Sequence, residues 1–211
     1  MKTEKLSFTE SGTLTIKKVE TKKDLNDFIQ FPKKLYAKCP YYVTDLDRDI
    51  RNMFNPKKNA GLDFSEIQAF LAYDKQGKVM GRIVGIINHH ANEKWETKNL
   101  RFGYFDFIDD IAVSKHLLNA VSQWGKEKGM VTIQGPMGIT DFDKEGMLIE
   151  DFDQMGSMNT LYNYPYYPKH MEVLGYEKEV DWVQIRINIP QETPAKYARV
   201  AKLSKEMFNL K

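Results

Sequence analysis

Cysteine is nearly missing: Cys39 is the single thiol in 211 residues. One thiol excludes an internal disulfide framework and any thiolate zinc cluster. A surplus of one charge sign is missing too, since 31 Lys and Arg face 29 Asp and Glu for a net +2. A nucleic-acid partner calls for a clear basic excess, so none is expected. Long apolar runs are absent. The longest, Ile83 to Ile87, is about a quarter of the ~20 residues a membrane helix needs, so no membrane partner is expected either. The opening MKTEKLSFTES carries no apolar core segment of the signal-peptide kind. With one cysteine, this points to a cytoplasmic protein. No internal repeat or low-complexity tract interrupts the chain.

What is present is a globular composition, 42% apolar and 28% charged. At ~150 residues per domain the length falls between one domain and two, and a chain of this size buries roughly 70% of its unfolded surface. Charge is uneven along it. The first 58 residues lean basic, whereas Asp141, Asp143, Glu145, Glu150, Asp151 and Asp153 crowd one stretch against Lys144 alone.

Periodicity gives the elements. Residues 12–20 alternate and read as a strand. Thr21 caps a helix with Asp24 in a capping-box position, and Pro32 bends or restarts it. A second helix spans 45–53 and stops at Asn55-Pro56. Strands 66–73 and 78–88 form a hairpin through Asp74-Lys75-Gln76-Gly77, with Gly81 and Gly85 marking twist or close approach. A polar connection leads to a third strand, 100–109. Residues 114–128 form a helix stopped by Gly129, with Ser114 a candidate cap, and a short strand 130–134 follows. After the irregular, acidic 135–160 come a helix at 165–174, strand material at 176–189 and a final helix opened by Thr193-Pro194.

This order, and the segment HMEVLGYEKEVDWVQIRI, resemble the GNAT acyl-CoA N-acyltransferase superfamily. The segments FIQFPKKLY, GRIVGIINHHANEKW, FGYFDFIDD, GPMGITDFDKEGMLIEDFD and LYNYPYYPKHMEVLGYEKEVDW are similar to an uncharacterised bacterial family of GNAT-like proteins, nearly twice this length with a second GNAT-like half. The resemblance implies an α/β fold with a mixed, mostly antiparallel sheet flanked by helices on both faces. It divides the chain into an N-terminal extension (1–11), a GNAT-like domain (12–189) and a C-terminal helix (190–211) resembling the start of the second half.

The resemblance also implies acetyl-CoA or another acyl-CoA as cofactor. The superfamily binds the CoA pyrophosphate with Q/R-x-x-G-x-G/A at a helix start, where free N–H groups face the phosphates. The matching stretch is Asp109-Asp110-Ile111-Ala112-Val113-Ser114, making Ala112, Val113 and Ser114 the cofactor-binding candidates. It departs from the motif in placing an acid, Asp109, at the Q/R position, and two carboxylates repel a pyrophosphate. As plain structure, both acids favour the positive end of a helix dipole. The superfamily's general acid, often a tyrosine four residues before the late glycine, falls on Met171, which cannot donate a proton. Tyr162, Tyr164, Tyr166 and Tyr167 are the nearby hydroxyls. Asp106, Asp109, Asp110, Asp141 and Asp143 are candidate bases at strand ends. The residues singled out for catalysis are Asp109, Asp110, Tyr164 and Tyr167.

Metal sites find little support. Asp141, Asp143, Glu145 and Gly146 match the opening of a calcium loop, but its twelfth position, normally a bidentate glutamate, is Phe152. His89 and His90 are adjacent and diverge, and His116 and His170 lack partners at ligand spacing. No metal is expected. Two functions remain open. One is acyl-CoA-dependent transfer to a small-molecule or peptide amine. The other is a non-catalytic half that binds a ligand or docks a second GNAT-like half or a second copy.

Overall fold

The computed structural model describes residues 14–157, 160–185 and 187–209. The expected extension 1–11 lies outside the described residues. The chain divides into two compact units, one ending at Glu177 and one beginning at Lys178.

The first unit is built on a five-stranded sheet in sequential order: β1 (Thr15–Lys18), β2 (Ser65–Tyr73), β3 (Val79–Asn88), β4 (Asn99–Phe107) and β5 (Thr132–Gln134). The first three pairings are antiparallel and β4–β5 is parallel, joined through α4 (Ile111–Glu127). This is the expected mixed, mostly antiparallel sheet. Helices cover both faces. Phe70, Ala72, Ile83, Ile87, Leu100 and Phe102 pack under α4. Leu71, Val84 and Ile86 pack against Phe28 and Ile29 of α1 (Lys22–Leu35) and Ile50 of α2 (Asp47–Met53). Period-two alternation along β2 and β3 produces both faces at once.

Local chemistry sets the element ends. Thr21 and Asp24 form the expected capping box at the start of α1. Gly81 and Gly85 admit α4 to the sheet: a Cβ at Gly81 would sit 2.8 Å from Leu117 Cδ1, and one at Gly85 2.9 Å from Trp124 Cε3. Helix α4 begins three residues earlier than its apolar stripe suggested. Asp110, not Ser114, is its cap, with the carboxylate accepting from Ala112 N at 2.9 Å.

Two further differences have physical reasons. The polar connection after β3 contains α3 (His89–Lys94), capped by Asn88 through Ala91 N. Its residues carry no apolar stripe to announce it. The described residues 176–185 and 187–189 form no strand. Alternation marks a segment able to pair, but a strand requires a partner edge. In the second unit, Trp182, Val183, Ile185 and Ile189 are exposed. It ends in α6 (Ala195–Phe208), whose stripe of Tyr197, Val200, Leu203 and Met207 is likewise exposed.

Candidate functional site

The site begins where β4 loses its regular form. Between the pairs Val84–Gly103 and Arg82–Asp106, β4 has one residue more than β3. The extra residue puts Tyr104 in the left-handed region at φ 47°, a strained conformation for a bulky side chain that costs about 1–3 kcal/mol. The bulge resets the side-chain parity. Phe102, Phe105 and Phe107 therefore share the α4 face, while Tyr104 packs with the α1 face.

At the same point β5 leaves β4. Their ladder ends at Arg101–Gln134. Met137 N then donates to Phe102 O at 2.7 Å, across Gly103, where a Cβ would meet Met137 O at 2.4 Å. Beyond it the β4 edge is covered by tyrosines. Helix α5 (Tyr166–Val173) places the Tyr167 hydroxyl to accept from Phe107 N at 3.1 Å, and the Tyr166 hydroxyl donates to Phe107 O at 2.5 Å.

From Tyr167 the bonding continues inward. Its hydroxyl lies 2.8 Å from that of Tyr36, which donates to Asp106 Oδ1 at 3.1 Å. Asp106 Oδ2 accepts from Arg82 Nε at 2.8 Å. Tyr42 stacks on Tyr36 with ring centroids 4.2 Å apart, and Tyr162 and Tyr164 close around them. Burial, reinforced by the Asp106 charge, pushes the Tyr36 and Tyr167 phenols well above their ordinary pKa. Neither is placed to release a proton near neutrality. Tyr164 donates to Leu35 O at 3.3 Å from a half-buried position.

At the α4 start, the candidate cradle amides are already bonded. Ala112 N donates to the Asp110 carboxylate, and Val113 N and Ser114 N donate to Asp110 O at 3.0 and 3.4 Å. A carboxylate cap with the following amides turned back on the helix does not fit a pyrophosphate. Asp109 is the accessible acid, two-thirds exposed, with Oδ1 3.0 Å from His170 Nε2. His170 Nδ1 in turn lies 2.9 Å from Ser114 Oγ. The three side chains resemble a nucleophile, base and carboxylate in contact, but Ser114 is fully buried and its hydroxyl also donates to Ile111 O. No substrate reaches that oxygen, so the triplet fastens α5 to the first turn of α4.

The acidic loop is tied down rather than arranged around a cation. Asn163, buried, accepts from Leu148 N and donates to Leu148 O. Lys144 pairs with Asp45 at 2.6 Å. Burial raises the Glu145 carboxyl above its ordinary pKa, with Asp141 and Asp143 adding to the effect. Among the described residues no three acids, histidines or thiols gather at metal-binding distance. His89 pairs with Glu66, and His90 stacks on Phe64.

Sequence reasoning missed Arg82, Tyr36 and Asn163. A charged residue at the fourth position of an otherwise apolar strand was the available signal for Arg82. Nothing local marks the other two, whose partners lie 131 and 15 residues away.

With this geometry in view, comparisons place the chain. No family model matches it. It is 35% identical over 167 residues to Protein YghO of Escherichia coli strain K12, covering 77% of this chain and 42% of that protein. It is 30% identical over 172 residues to the bacterial ceramide synthase of Caulobacter vibrioides, covering 81% and 44%. The chain thus spans less than half the length of the curated relatives it matches. Among solved structures, glucosamine-6-phosphate N-acetyltransferase of Arabidopsis thaliana superposes at TM-score 0.48 with 10% identity, covering 82% of this chain and 99% of that one. Among the described residues the sheet runs in sequential order, with a single parallel pair, β4–β5, joined through α4. No helix among the described residues is long and apolar enough to cross a membrane.

Proposed function

We propose that this chain is the GNAT-like part of an acyl-CoA-dependent N-acyltransferase, cytoplasmic and acting on an amine, in which these residues serve the acceptor and a second part holds the acyl-CoA. The observation that carries the reading is the covered β4 edge: Tyr166 and Tyr167 take both backbone groups of Phe107, where a slot for the donor would have to open. The Asp110 cap supports the same division, because it occupies an amide a pyrophosphate would need. The 30% identity to a ceramide synthase supports N-acylation. A ceramide is an amide of a long-chain amino alcohol, so making one joins an acyl group to an amine nitrogen. The reaction class needs mainly positioning of amine and thioester, with strand N–H groups steadying the oxyanion. Asp109, exposed and paired with His170, is a candidate base only for an amine approaching on the α4 side of the sheet.

A second reading keeps the acyl-CoA in this unit, along Ala112, Val113 and Ser114. It is favoured by the departure of β5 from β4 after three paired residues, and it requires α5 to withdraw and Asp110 to give up its cap. Calorimetric titration with acetyl-CoA and a long-chain acyl-CoA separates the two. The first reading expects silence from this chain and micromolar binding, about −8 kcal/mol, by a form as long as its relatives. Binding by this chain favours the second. Silence from both forms overturns acyl-CoA use altogether.

A further inference from the structure

On the sheet face opposite α4, a partly open cavity of about 160 Å³ lies beside the β4 bulge. Met53, Phe64, Ile86 and Ile139 give it apolar walls. Asn59 and Thr140 also line it, but the Asn59 amide is bonded to Met53 O and Gly61 N, and the Thr140 hydroxyl donates to Asp143 and accepts from Phe142 N. Two further polar groups keep free bonding capacity. One is Tyr104, whose hydroxyl has no hydrogen-bond partner among the described residues, although burial and then Asp143 and Asp45 raise its pKa to about 12. The other is Asp143. Its Oδ2 accepts from Thr140 N at 2.9 Å, and no hydrogen bond among the described residues uses Oδ1. Asp143 reaches this position only because residue 138 is glycine: a Cβ there would fall 2.1 Å from Asp143 Cβ.

These features belong together. Tyr104 holds a strained backbone that presents its ring to the cavity, and strain of this kind collects at ligand sites. Two cations lie nearby: Arg82 is spent on Asp106, its guanidinium 5.7 Å from the Tyr104 ring centre, and Arg101 is not a lining residue but donates to the carbonyls of the lining residues Gly138 and Ile139 at 3.3 and 3.0 Å. What remains at the cavity is a carboxylate, a hydroxyl oxygen and an aromatic ring, all of which attract a cation. Sites for whole small molecules are roughly 300–1,000 Å³, so this one takes a head group with the remainder outside.

The geometry points to this cavity as the seat of a protonated primary amine, the Asp143 carboxylate and the Tyr104 hydroxyl receiving its N–H donors and the apolar walls its first carbons. The assignment rests on the N-acyltransferase reading for the role of that amine as acyl acceptor. It extends that reading by naming the residues that select it. Amine binding itself is measurable without any acyl donor.

The test is an NMR titration of this chain with n-butylammonium, using n-butanol as the neutral isostere. Butylammonium should move the Tyr104, Gly138 and Ile139 resonances, and butanol should not. Asp143→Asn, which keeps an oxygen for Thr140 N, should weaken butylammonium about tenfold or more, since a hydrogen bond to a charged group is lost. Tyr104→Phe should weaken it several-fold. Equal binding of butanol, an unchanged affinity in both variants, or no movement at millimolar amine each overturns the assignment. Acyl-CoA titration of the longer form is read separately. Amine binding with no acyl-CoA binding keeps the cavity and removes the transferase; the reverse result removes the cavity alone.

Discussion

Arg82 donates from Nη1 to the carbonyl of Phe28 at 3.1 Å, an oxygen that α1 itself leaves open. The intrahelical donor to that carbonyl would be residue 32, which is proline and has no N–H. A proline inside a helix is tolerated here because a strand on the sheet beneath supplies the missing bond. The same guanidinium binds Asp106, its direct cross-strand partner, and Asp106 holds Tyr36. One buried side chain thus joins helix, sheet and tyrosine cluster. Arg82→Ala should cost about 3–5 kcal/mol in urea unfolding, because Asp106 would remain as a nearly buried, unpaired carboxylate. Arg82→Met with Asp106→Leu should recover much of that loss. A single-variant cost near zero would mean that water reaches the pair.

The capping box makes a pH prediction. Burial alone would raise the Asp24 carboxyl, but bonds from Lys17 and Thr21 outweigh it and hold the group at about 2, against an ordinary 3.8. A depressed folded-state value stabilises the protein above the unfolded value and gives that stability up as pH falls toward the folded one. Stability should therefore fall between about pH 4 and pH 2 as Asp24 takes up its proton. Asp24→Asn should flatten that part of the acid denaturation curve. Thr21→Ala should cost about 1 kcal/mol at neutral pH.

The sheet was legible because its signals are local. Alternation, the Asp74–Gly77 turn and the glycines at 81 and 85 all act within a few residues, and each sits where the pattern placed it. The site was less legible because its bonds are long-range. Tyr167 stands out in the sequence as a candidate catalytic hydroxyl, yet only the fold reveals that it is spent on Phe107 and Tyr36. Tyr104 carries no sequence mark at all. Its conformation follows from one extra residue in β4, which is a property of pairing with β3.

Residues 178–185 and 187–189 misled for the opposite reason: the local pattern is strong, yet no strand forms there. Val183, Ile185 and Ile189 share one parity, and all three are exposed. Exposed segments of this kind pair with other chains or bind apolar probes. This chain should bind the dye ANS in the native state, and Val183→Asp with Ile185→Asp should reduce that signal without moving the main urea transition. Undiminished dye binding would put the exposed apolar surface elsewhere.

Two single-atom changes test what seals the β4 edge. Tyr167→Phe removes the acceptor for Phe107 N and the neighbour of the Tyr36 hydroxyl, both buried. Tyr36 keeps its bond to Asp106, so the orphaned group is Phe107 N, at a cost of about 1–3 kcal/mol. Tyr166→Phe frees only Phe107 O, for which water can substitute, and should cost less. Neither ring leaves, so the aromatic packing of Phe107 against Tyr166 and Tyr167 persists. If the edge is sealed by shape as well as by hydroxyls, neither variant will bind acetyl-CoA, whereas the double substitution Tyr166→Ala with Tyr167→Ala should expose the strand. Acetyl-CoA binding by the two alanines together would identify the tyrosines as the barrier and make a donor slot in this unit a matter of α5 position. Continued silence from a variant that circular dichroism shows to be folded would place the obstacle at the Asp110 cap, and Asp110→Gly is then the variant that decides between them.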